Sequence, residues 1–252
     1  MKTDHPSLCH RDQMRKLWQD AFGDTDVFLD SFYSTAYTPD QCLGIFIGEE
    51  LAAVLYWIDC HIQDQKLAYI YAVVTAPAHR GKGLCRKLME DAHKLLKSRG
   101  YSGSILVPQK ESLRQMYAGM GYQNAGGLTV FPCDAGTEPL PLRAVGPQEF
   151  AALRRTLLPE NAVIQEGEGL RFLGQQLQFY AGDAFLLAAY VENDILHGIE
   201  LLGSQDSAPA ILKTLDLPHG IFRTPGHSQP FAMFHALTEN AAHPKYFGFA
   251  FD

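Results

Sequence analysis

The sequence predicts an α/β (α+β) protein in which a mixed, mostly antiparallel sheet is flanked by helices and a second, smaller α/β domain follows. Three observations lead to this prediction. Helical and strand-like periods alternate along the chain, pairs of apolar runs are joined by short polar turns, and a helix–helix–hairpin order occurs twice. Hydrophobic residues make up 46% of the 252 residues and charged residues 19%, which excludes a disordered chain.

The first predicted elements are two helices and a hairpin. The apolar residues of DQMRKLWQDAFG recur at helical spacing, and Gly23 ends this helix. TDVFLDSFYSTAY is the second helix, with Thr25 or Asp26 as its cap. The runs CLGIFIG and LAAVLYWID, joined by the polar turn at Glu49–Glu50, form the hairpin, and LAYIYAVV adds another strand.

A strand then passes into a helix through VVTAPAHRGKGLCRKLMEDA. The helix in this segment carries its apolar side chains on one face and ends at Gly100. GSILVP, ESLRQMYAGM and GLTVF predict a strand, a short helix and a strand. PCDAGTEPLP, rich in proline and glycine, is the best linker and divides the chain into domains of residues 1–135 and 136–252.

The second half repeats the pattern of the first. EFAALRRTLL and EGLRFLGQQLQFY are predicted helices, and AFLLAAYVENDILHGIELLG is a hairpin that matches DQCLGIFIGEELAAVLYWID in length and turn position. This match indicates an internal duplication. ILKTLDL is then a helix, and GIFRTP, FAMFHAL and KYFGFAFD are strands, but no counterpart of HRGKGL is present.

Charge and cysteine content limit the classes of function. The formal net charge is -7, so the surface as a whole does not bind nucleic acid. The five cysteines are scattered without a C-x-x-C pair, which indicates reduced thiols and the cytoplasm. The N-terminus has no apolar run typical of a signal peptide, LAAVLYWI is too short to span a bilayer, and the histidines show no metal-ligand spacing.

The glycines and charges after the strand indicate a phosphate site. A strand that enters a helix through a glycine-containing turn directs free backbone N–H groups to one place, where the helix dipole adds positive charge. Gly81 and Gly83 allow a close approach to the backbone, and Arg80, Lys82 and Arg86 add charge. A P-loop is excluded because glycine follows the lysine, and a dinucleotide fingerprint lacks its third glycine.

The same residues resemble a known family. VTAPAHRGKGLCR is similar to the acyl-CoA signature R/Q-x-x-G-x-G/A of the GNAT superfamily of N-acetyltransferases, with Arg80 in the first place and Gly83 as the glycine. Cys85 stands where the family has a small glycine or alanine. QMYAGMGYQ resembles the second family element, which begins at Tyr117, and the likeness covers residues of about 1–132.

The resemblance implies a cofactor site and a reaction. In the family, the pantetheine arm pairs with the strand before the signature, the pyrophosphate lies on the amides of the turn, and a tyrosine protonates the leaving thiolate. Tyr117 is the matching tyrosine here. The implied cofactor-binding residues are Val73, Val74, Thr75, Arg80, Gly81, Lys82, Gly83, Leu84, Cys85 and Arg86.

The identity of the general base is the most open point. The tandem layout resembles acetyltransferases of the enhanced-intracellular-survival type, in which the chain terminus reaches the active site, so Asp252 is a candidate base. Asp59 and His61, at the end of a strand expected to border the site, and Tyr69 and Tyr71 on the next strand are the other candidates.

Three hypotheses of function follow. The first is transfer of an acetyl group from acetyl-CoA to a primary amine of a small molecule or peptide, without a metal, a nucleic acid or a membrane as partner. The acidic balance favours a cationic acceptor. The second is an acyl-CoA sensor without turnover. The third treats the second half as a partner-binding module that forms a homodimer or covers the acceptor groove; its lack of a glycine signature predicts one CoA per chain.

Overall fold

The computed structural model describes residues 1–250, which form two compact units. Unit 1 comprises Met1–Leu106, Gln115–Tyr122 and Phe234–Ala242, and unit 2 comprises Val107–Arg114, Gln123–Met233 and the described residues from 243 onward. The predicted division at residues 135 and 136 concerns the two halves of a duplicated sequence, and it stays a prediction.

Unit 1 contains five strands in chain order and the helices that accompany them. The segment Phe234–Ala242, from near the end of the chain, also belongs to it. Its elements are β1 (Lys2–Asp4), α1 (Arg11–Phe22), α2 (Asp26–Thr35), β2 (Cys42–Ile47), β3 (Glu50–Ile62), β4 (Gln65–Thr75), α3 (Leu84–Ser98), β5 (Gly103–Leu106) and the end of α4 (Glu111–Ala118). The strand order is β1-β2-β3-β4-β5. Neighbours are antiparallel except β4 and β5, which are parallel because α3 connects them.

The core of unit 1 centres on Trp18 of α1, which is 1% exposed. The ring centroids of Phe32, Tyr56 and Tyr71 lie 4.8, 5.0 and 5.3 Å from that of the indole. The indole N–H donates to Asp24 Oδ2 at 2.7 Å, so the one polar atom of the ring is satisfied. This aromatic cluster fixes both N-terminal helices against β3 and β4.

Unit 2 is a second mixed sheet with helices. Its elements are β6 (Gln123–Asp134), β7 (Arg143–Ala144), α5 (Pro147–Leu157), α6 (Gly167–Gln176), β8 (Gln178–Ala181), β9 (Phe185–Glu192), β10 (Ile195–Gly203), α7 (Ala208–Thr214), β11 (His219–Pro225) and the start of β12 (Gln229–Ala236). The strand order is β7-β8-β9-β10-β11-β6. The pair of β10 and β11 is parallel, and the other registered pairs are antiparallel.

The two units share one topology. In each, five strands lie in chain order, the last pair is parallel, and a helix (α3 or α7) connects that pair. Two helices precede the first hairpin of each half. The predicted match between hairpins was wrong by one strand, because β9 and β10, which lead into α7, correspond to β3 and β4 and not to β2 and β3. The repeated order confirms the predicted fold class, a mostly antiparallel mixed sheet flanked by helices and followed by a second domain of the same kind.

The apolar run LAAVLYWI is a buried strand, as predicted. Its residues, 51–58, lie in β3, and all of them are buried. Within residues 1–250, no helix combines the length and the apolar content that a membrane crossing requires.

Two predictions of secondary structure were wrong. The end of the second predicted helix of the duplicated half is the strand β8, since pairing with β9 draws these residues out of the helix. KYFGFAFD is not a strand in its described part, because Tyr246 forms only an isolated bridge with Ala162 and the following residues pair with no strand. Gln165 donates instead to the carbonyl of Phe249 at 2.6 Å.

A buried ion pair holds this terminal segment in place. Arg154 of α5 donates two hydrogen bonds to the carboxylate of Glu200 in β10, at 2.7 and 2.9 Å, and Tyr246 donates a third at 2.9 Å. Arg154 is 2% exposed and Glu200 is fully buried. A Cβ on Gly248 would lie 1.9 Å from Glu200 Oε1, so only glycine fits beside the carboxylate.

We expect Arg154→Met to lower the free energy of unfolding by about 3–5 kcal/mol, because it leaves the Glu200 carboxylate buried without its partner. The double variant Arg154→Met, Glu200→Leu should recover most of this loss. Arg155→Met is the matched control, since Arg155 forms an exposed ion pair and its loss costs about 1 kcal/mol or less. Urea unfolding measures all three; equal losses in both single variants would contradict the role given to the buried pair.

Candidate active site

The turn between β4 and α3 is open and shaped by two glycines. Gly81 and Gly83 have φ angles of 75° and 77°, in the left-handed region that side chains disfavour. A Cβ on either glycine would have no atom within 4 Å, so no described part of the chain fills the space beside the two glycines. The first turn of α3 contains no acidic residue and no side-chain cap, which leaves its N–H groups and its dipole available to an anion.

The basic residues of this turn have different partners. Arg80 Nε donates to the carbonyl of Thr75 at 3.2 Å, and Arg86 Nη1 donates to the carbonyl of Gly119 at 3.0 Å. Arg86 therefore connects the start of α3 to the residue that follows α4. Lys82 is exposed and has no hydrogen-bond or ion-pair partner among residues 1–250, so its charge is available to a ligand.

Strands β4 and β5 part before β4 ends. Their pairing stops at Tyr69 and Ile105, although β4 continues to Thr75. On its other edge, β4 stays paired with β3 as far as Thr75. The last residues of β4 therefore have one edge to which no described strand is registered.

The hydrogen-bond pattern shows which peptide groups face this edge. Ala76 N donates to the carbonyl of Ala52 at 2.9 Å, which directs the peptide groups of Val74, two residues earlier, toward β3 as well. Because these groups alternate along an antiparallel strand, those of Val73 and Thr75 face the open edge. Two of the three predicted pantetheine-contacting residues thus present their backbone there, whereas Val74 is paired.

A bulge lies in β4 just before these residues. Ala72 has a φ of 49°, and the register with β3 shifts between the pairs Tyr56–Tyr71 and Val54–Val74. A bulge of this kind bends the strand and redirects its side chains, and such bulges are common beside active sites. Here it coincides with the parting of β4 from β5.

Tyr117 of α4 is buried at 8% exposure, and its ring lies 5.7 Å from that of Tyr122 in an edge-to-face contact. Burial raises the pKa of its phenol well above the ordinary value, and the nearby Cys85 thiol acts in the same direction. The phenol is therefore protonated at neutral pH. Its hydroxyl has no hydrogen-bond partner in the described part of the chain, so it can donate to a ligand.

A comparison with protein families covers the same part of the chain. Residues 8–125 match the family described as "Acetyltransferase (GNAT) domain". The chain carries a GNAT acetyltransferase domain. No curated protein sequence matches the chain.

Solved structures of low sequence identity share the fold. A GCN5-related N-acetyltransferase from Anabaena variabilis has 16% identity and a TM-score of 0.71, covering 94% of this chain and 73% of that one. Eis1 from Mycobacterium abscessus has 10% identity and a TM-score of 0.69, covering 94% and 74%. A tandem GNAT protein from the clavulanic acid biosynthesis pathway has 11% identity and a TM-score of 0.57, covering 95% and 100%. These matches extend over both halves of the chain.

In the second half of the chain, the connection that corresponds to the glycine turn runs from the end of β10 at Gly203 to the start of α7 at Ala208. Ser204 N donates to the carbonyl of Ala184 at 2.8 Å, as Ala76 N donates to the carbonyl of Ala52 in the first half. Asp206 stands just before α7, and Pro209 in its first turn lacks an N–H. The connection therefore has an acidic residue where residues 80–86 have basic ones, and the start of its helix has one N–H donor fewer.

The register places two of the candidate bases far from the glycine turn. Asp59 pairs with Ala68, seven residues before Thr75, which is about 23 Å along the strand at about 3.3 Å per residue. Its carboxylate instead accepts from Tyr101 and lies 2.7 Å from Lys66 Nζ. His61 is still nearer the hairpin turn. The role of either residue as a base stays a prediction.

Of the other candidate bases, Tyr69 and Tyr71 are among the described residues and Asp252 is not. Tyr69 and Tyr71 are buried in β4, 5.7 Å apart between ring centroids, and burial raises the pKa of Tyr71. Both are part of the core rather than of the open edge. Asp252 lies outside the described residues. No group of three or more His, Cys, Asp or Glu side chains within residues 1–250 is placed to hold a metal ion.

A buried polar cluster behind Tyr117 was missed from the sequence. Tyr122 OH lies 2.7 Å from Ser104 Oγ and 2.9 Å from His93 Nε2, and the ring of His93 stacks on that of His235 at 4.3 Å. Burial lowers the pKa of His93 to about 3, and the neighbouring His235 acts in the same direction. The cluster joins α3, β5 and the segment that returns to unit 1, and it supports the residue against which Tyr117 packs.

We expect the neutral state of His93 to make stability depend on pH. In the unfolded chain the imidazole binds a proton below its ordinary pKa of 6.5, whereas the folded protein holds it neutral down to about pH 3. The contribution of His93 to the free energy of unfolding is therefore complete above pH 6.5. It is lost as the pH falls through this window, by up to about 1.4 kcal/mol per pH unit.

Urea unfolding at pH 6.5, 5.5 and 4.5 tests this. His93→Gln should flatten the fall in stability relative to the wild type. His61→Gln, which replaces an exposed histidine of the same unit, should leave it unchanged. Equal slopes in the wild type and in His93→Gln would show that His93 does not carry the effect.

Proposed function

We propose that the protein transfers an acetyl group from acetyl-CoA to a primary amine. The observation that carries this proposal is the open, basic glycine turn of residues 80–86, which directly follows the unpaired edge of β4. A phosphate site beside a row of free peptide groups suits a ligand with a pyrophosphate and an extended amide-containing arm. Acyl-CoA has both parts.

Each part of acyl-CoA has a place in unit 1. The pyrophosphate lies against the amides of residues 81–86 with Lys82 as a neutralising charge. The peptide groups of Val73 and Thr75 pair with the pantetheine amides, as a further strand would. Arg86 lies beside the proposed pyrophosphate site and donates a hydrogen bond to the carbonyl of Gly119, just after α4. This bond connects the position of Tyr117 in α4 to that of the bound cofactor.

The reaction then needs little beyond positioning and proton transfer. The neutral amine attacks the thioester carbonyl, a C–N bond forms and the C–S bond breaks. The leaving thiolate takes the proton of the Tyr117 hydroxyl, which burial keeps protonated. The proton released by the amine passes to water or to a base that we do not assign. The tyrosine regains its proton from solvent.

We infer a reducing compartment from the thiols. All five cysteines are free, and Cys42 and Cys60 are buried in the core, where a disulfide would not reach a partner. Free thiols in this number fit the cytoplasm. Asp206 and Pro209, which stand before and in the first turn of α7, support binding of one CoA per chain.

Lys82→Ala should weaken binding of acetyl-CoA by about tenfold or more, because it removes a charge-assisted contact with phosphate. Lys97→Ala, the same change at the opposite end of α3, is the matched control and should leave affinity unchanged. Calorimetric titration gives both affinities and the stoichiometry. Equal affinity in the two variants, or two CoA per chain, would contradict the assigned site.

Tyr117→Phe should lower kcat by about 10²–10⁴-fold and leave the affinity for acetyl-CoA unchanged, because it removes only the proton donor. Tyr180→Phe is the control for loss of a tyrosine hydroxyl elsewhere. Thiol release from acetyl-CoA in the presence of a panel of amines measures the rate. An unchanged kcat would remove Tyr117 from the mechanism, and binding without turnover by the wild type would favour the acyl-CoA sensor.

A further inference from the structure

The chain turns back directly after α4 and brings Tyr122 onto Tyr117. The carbonyl of Tyr117 accepts hydrogen bonds from Met120 N at 2.9 Å and from Tyr122 N at 3.1 Å. Gly121 has a φ of 90°, in the left-handed region, which allows this tight turn. The rings of the two tyrosines meet edge to face, 5.7 Å apart. Tyr122 therefore contacts Tyr117 through both its backbone and its ring.

The ring of Tyr122 is enclosed by other rings of unit 1. It is 2% exposed, and the ring centroids of His93 and His235 lie 5.6 and 5.3 Å from its own. The two imidazoles stack on each other at 4.3 Å. A Cβ on Gly121 would lie 3.0 Å from the His235 ring, so no free space remains on that side. The ring of Tyr122 can turn aside only by displacing its neighbours.

The hydroxyl of Tyr122 is anchored at two points. It lies 2.7 Å from Ser104 Oγ and 2.9 Å from His93 Nε2, and Ser104 is fully buried. Burial raises the pKa of this phenol, so it is protonated at neutral pH and can donate to one partner and accept from the other. A buried hydroxyl without a partner is costly, so these two bonds favour a single orientation of the ring.

The segment that returns from near the end of the chain completes this enclosure. Leu237 N donates to the carbonyl of Ser102 at 2.8 Å, which fixes the segment beside β5. A Cβ on Gly103 would lie 2.2 Å from the ring of Phe234, so the two residues are in close contact. His235 is therefore placed by the same strand that carries Ser104. The surroundings of Tyr122 come from α3, β5 and this segment, all within unit 1.

We propose that Tyr122 is a positioning residue for the phenol of Tyr117. Its hydroxyl anchors its ring to Ser104 and His93, and the anchored ring holds the phenol of Tyr117 in one orientation. Tyr122 acts only through Tyr117 and takes no part in the proton transfer itself. This role rests on the proposed acetyl transfer, in which Tyr117 is the proton donor.

The polar character of the cluster is the observation that favours positioning over simple packing. Replacing both partners of a buried hydrogen bond by apolar groups of the same shape is nearly neutral for stability, so a stable core does not require these polar groups. A satisfied polar network adds a unique arrangement of its members. Here that arrangement lies directly against the residue whose orientation the reaction needs.

Tyr122→Phe tests the proposal, because it keeps the ring and removes the anchor. We expect kcat to fall by about tenfold or more at an unchanged KM for acetyl-CoA, since small displacements of a catalytic group lower rates strongly. Tyr101→Phe is the matched control: Tyr101 is equally buried in unit 1, and its hydroxyl also has two partners, Trp57 and Asp59. The control should leave kcat unchanged. Equal falls in both variants would overturn the proposal.

A double-variant cycle separates positioning from a general loss of stability. In a Tyr117→Phe background, Tyr122→Phe should lower kcat no further, because the hydroxyl that it positions is absent. The same fold-loss in both backgrounds would show that Tyr122 does not act through Tyr117, and would overturn the proposal.

A measurement without turnover separates this proposal from the proposed function. The ring-flip rate of Tyr117 can be followed by NMR in the full chain labelled with ¹³C-tyrosine, with Tyr117→Phe to assign the signal. Tyr122→Phe should raise this rate by roughly 2–10-fold, the equivalent of one hydrogen bond, and Tyr101→Phe should not. If the wild type binds acetyl-CoA without turnover, the proposed function fails and the flip rates alone decide whether Tyr122 holds Tyr117. An unchanged flip rate in Tyr122→Phe would overturn the positioning role.

Discussion

The parting of β4 from β5 is the constraint on which the candidate site depends. A strand that stays paired on one edge and loses its neighbour on the other leaves peptide groups that need a partner, since unsatisfied backbone groups are costly once water is excluded. The bulge at Ala72 bends the strand at this point, and the glycine turn continues from its end. Without the parting, the turn would be an anion site with no place for an extended ligand.

The residues around this edge are joined into one assembly. Arg80 bonds the end of β4, Arg86 bonds the residue after α4, and Tyr117 of that helix packs on Tyr122 of the buried polar cluster. A ligand on the turn therefore meets a framework already fixed by hydrogen bonds. This matters for catalysis by positioning, in which displacements of about 1 Å already lower rates strongly.

Patterns in the sequence were sufficient to predict the features that are formed by contiguous residues. The glycine turn and the hairpins are contiguous, so their residues could be read from spacing alone. The stack of His93 on His235 joins residues 142 positions apart, and no periodicity reports such a contact. Proximity to a strand end in the sequence does not say which end lies beside the glycine turn, and the register shows that Asp59 pairs seven residues before the end of β4.

The unlike connections before α3 and α7 give the two halves of the chain unequal freedom to change. Substitutions at the turn of residues 80–86 are limited because two of its residues are glycines in the left-handed region. The corresponding connection of unit 2 has Asp206 and Pro209 instead, and the buried Arg154–Glu200 pair maintains the fold of that unit. We therefore expect the second half to tolerate changes around this connection that the turn of the first half does not.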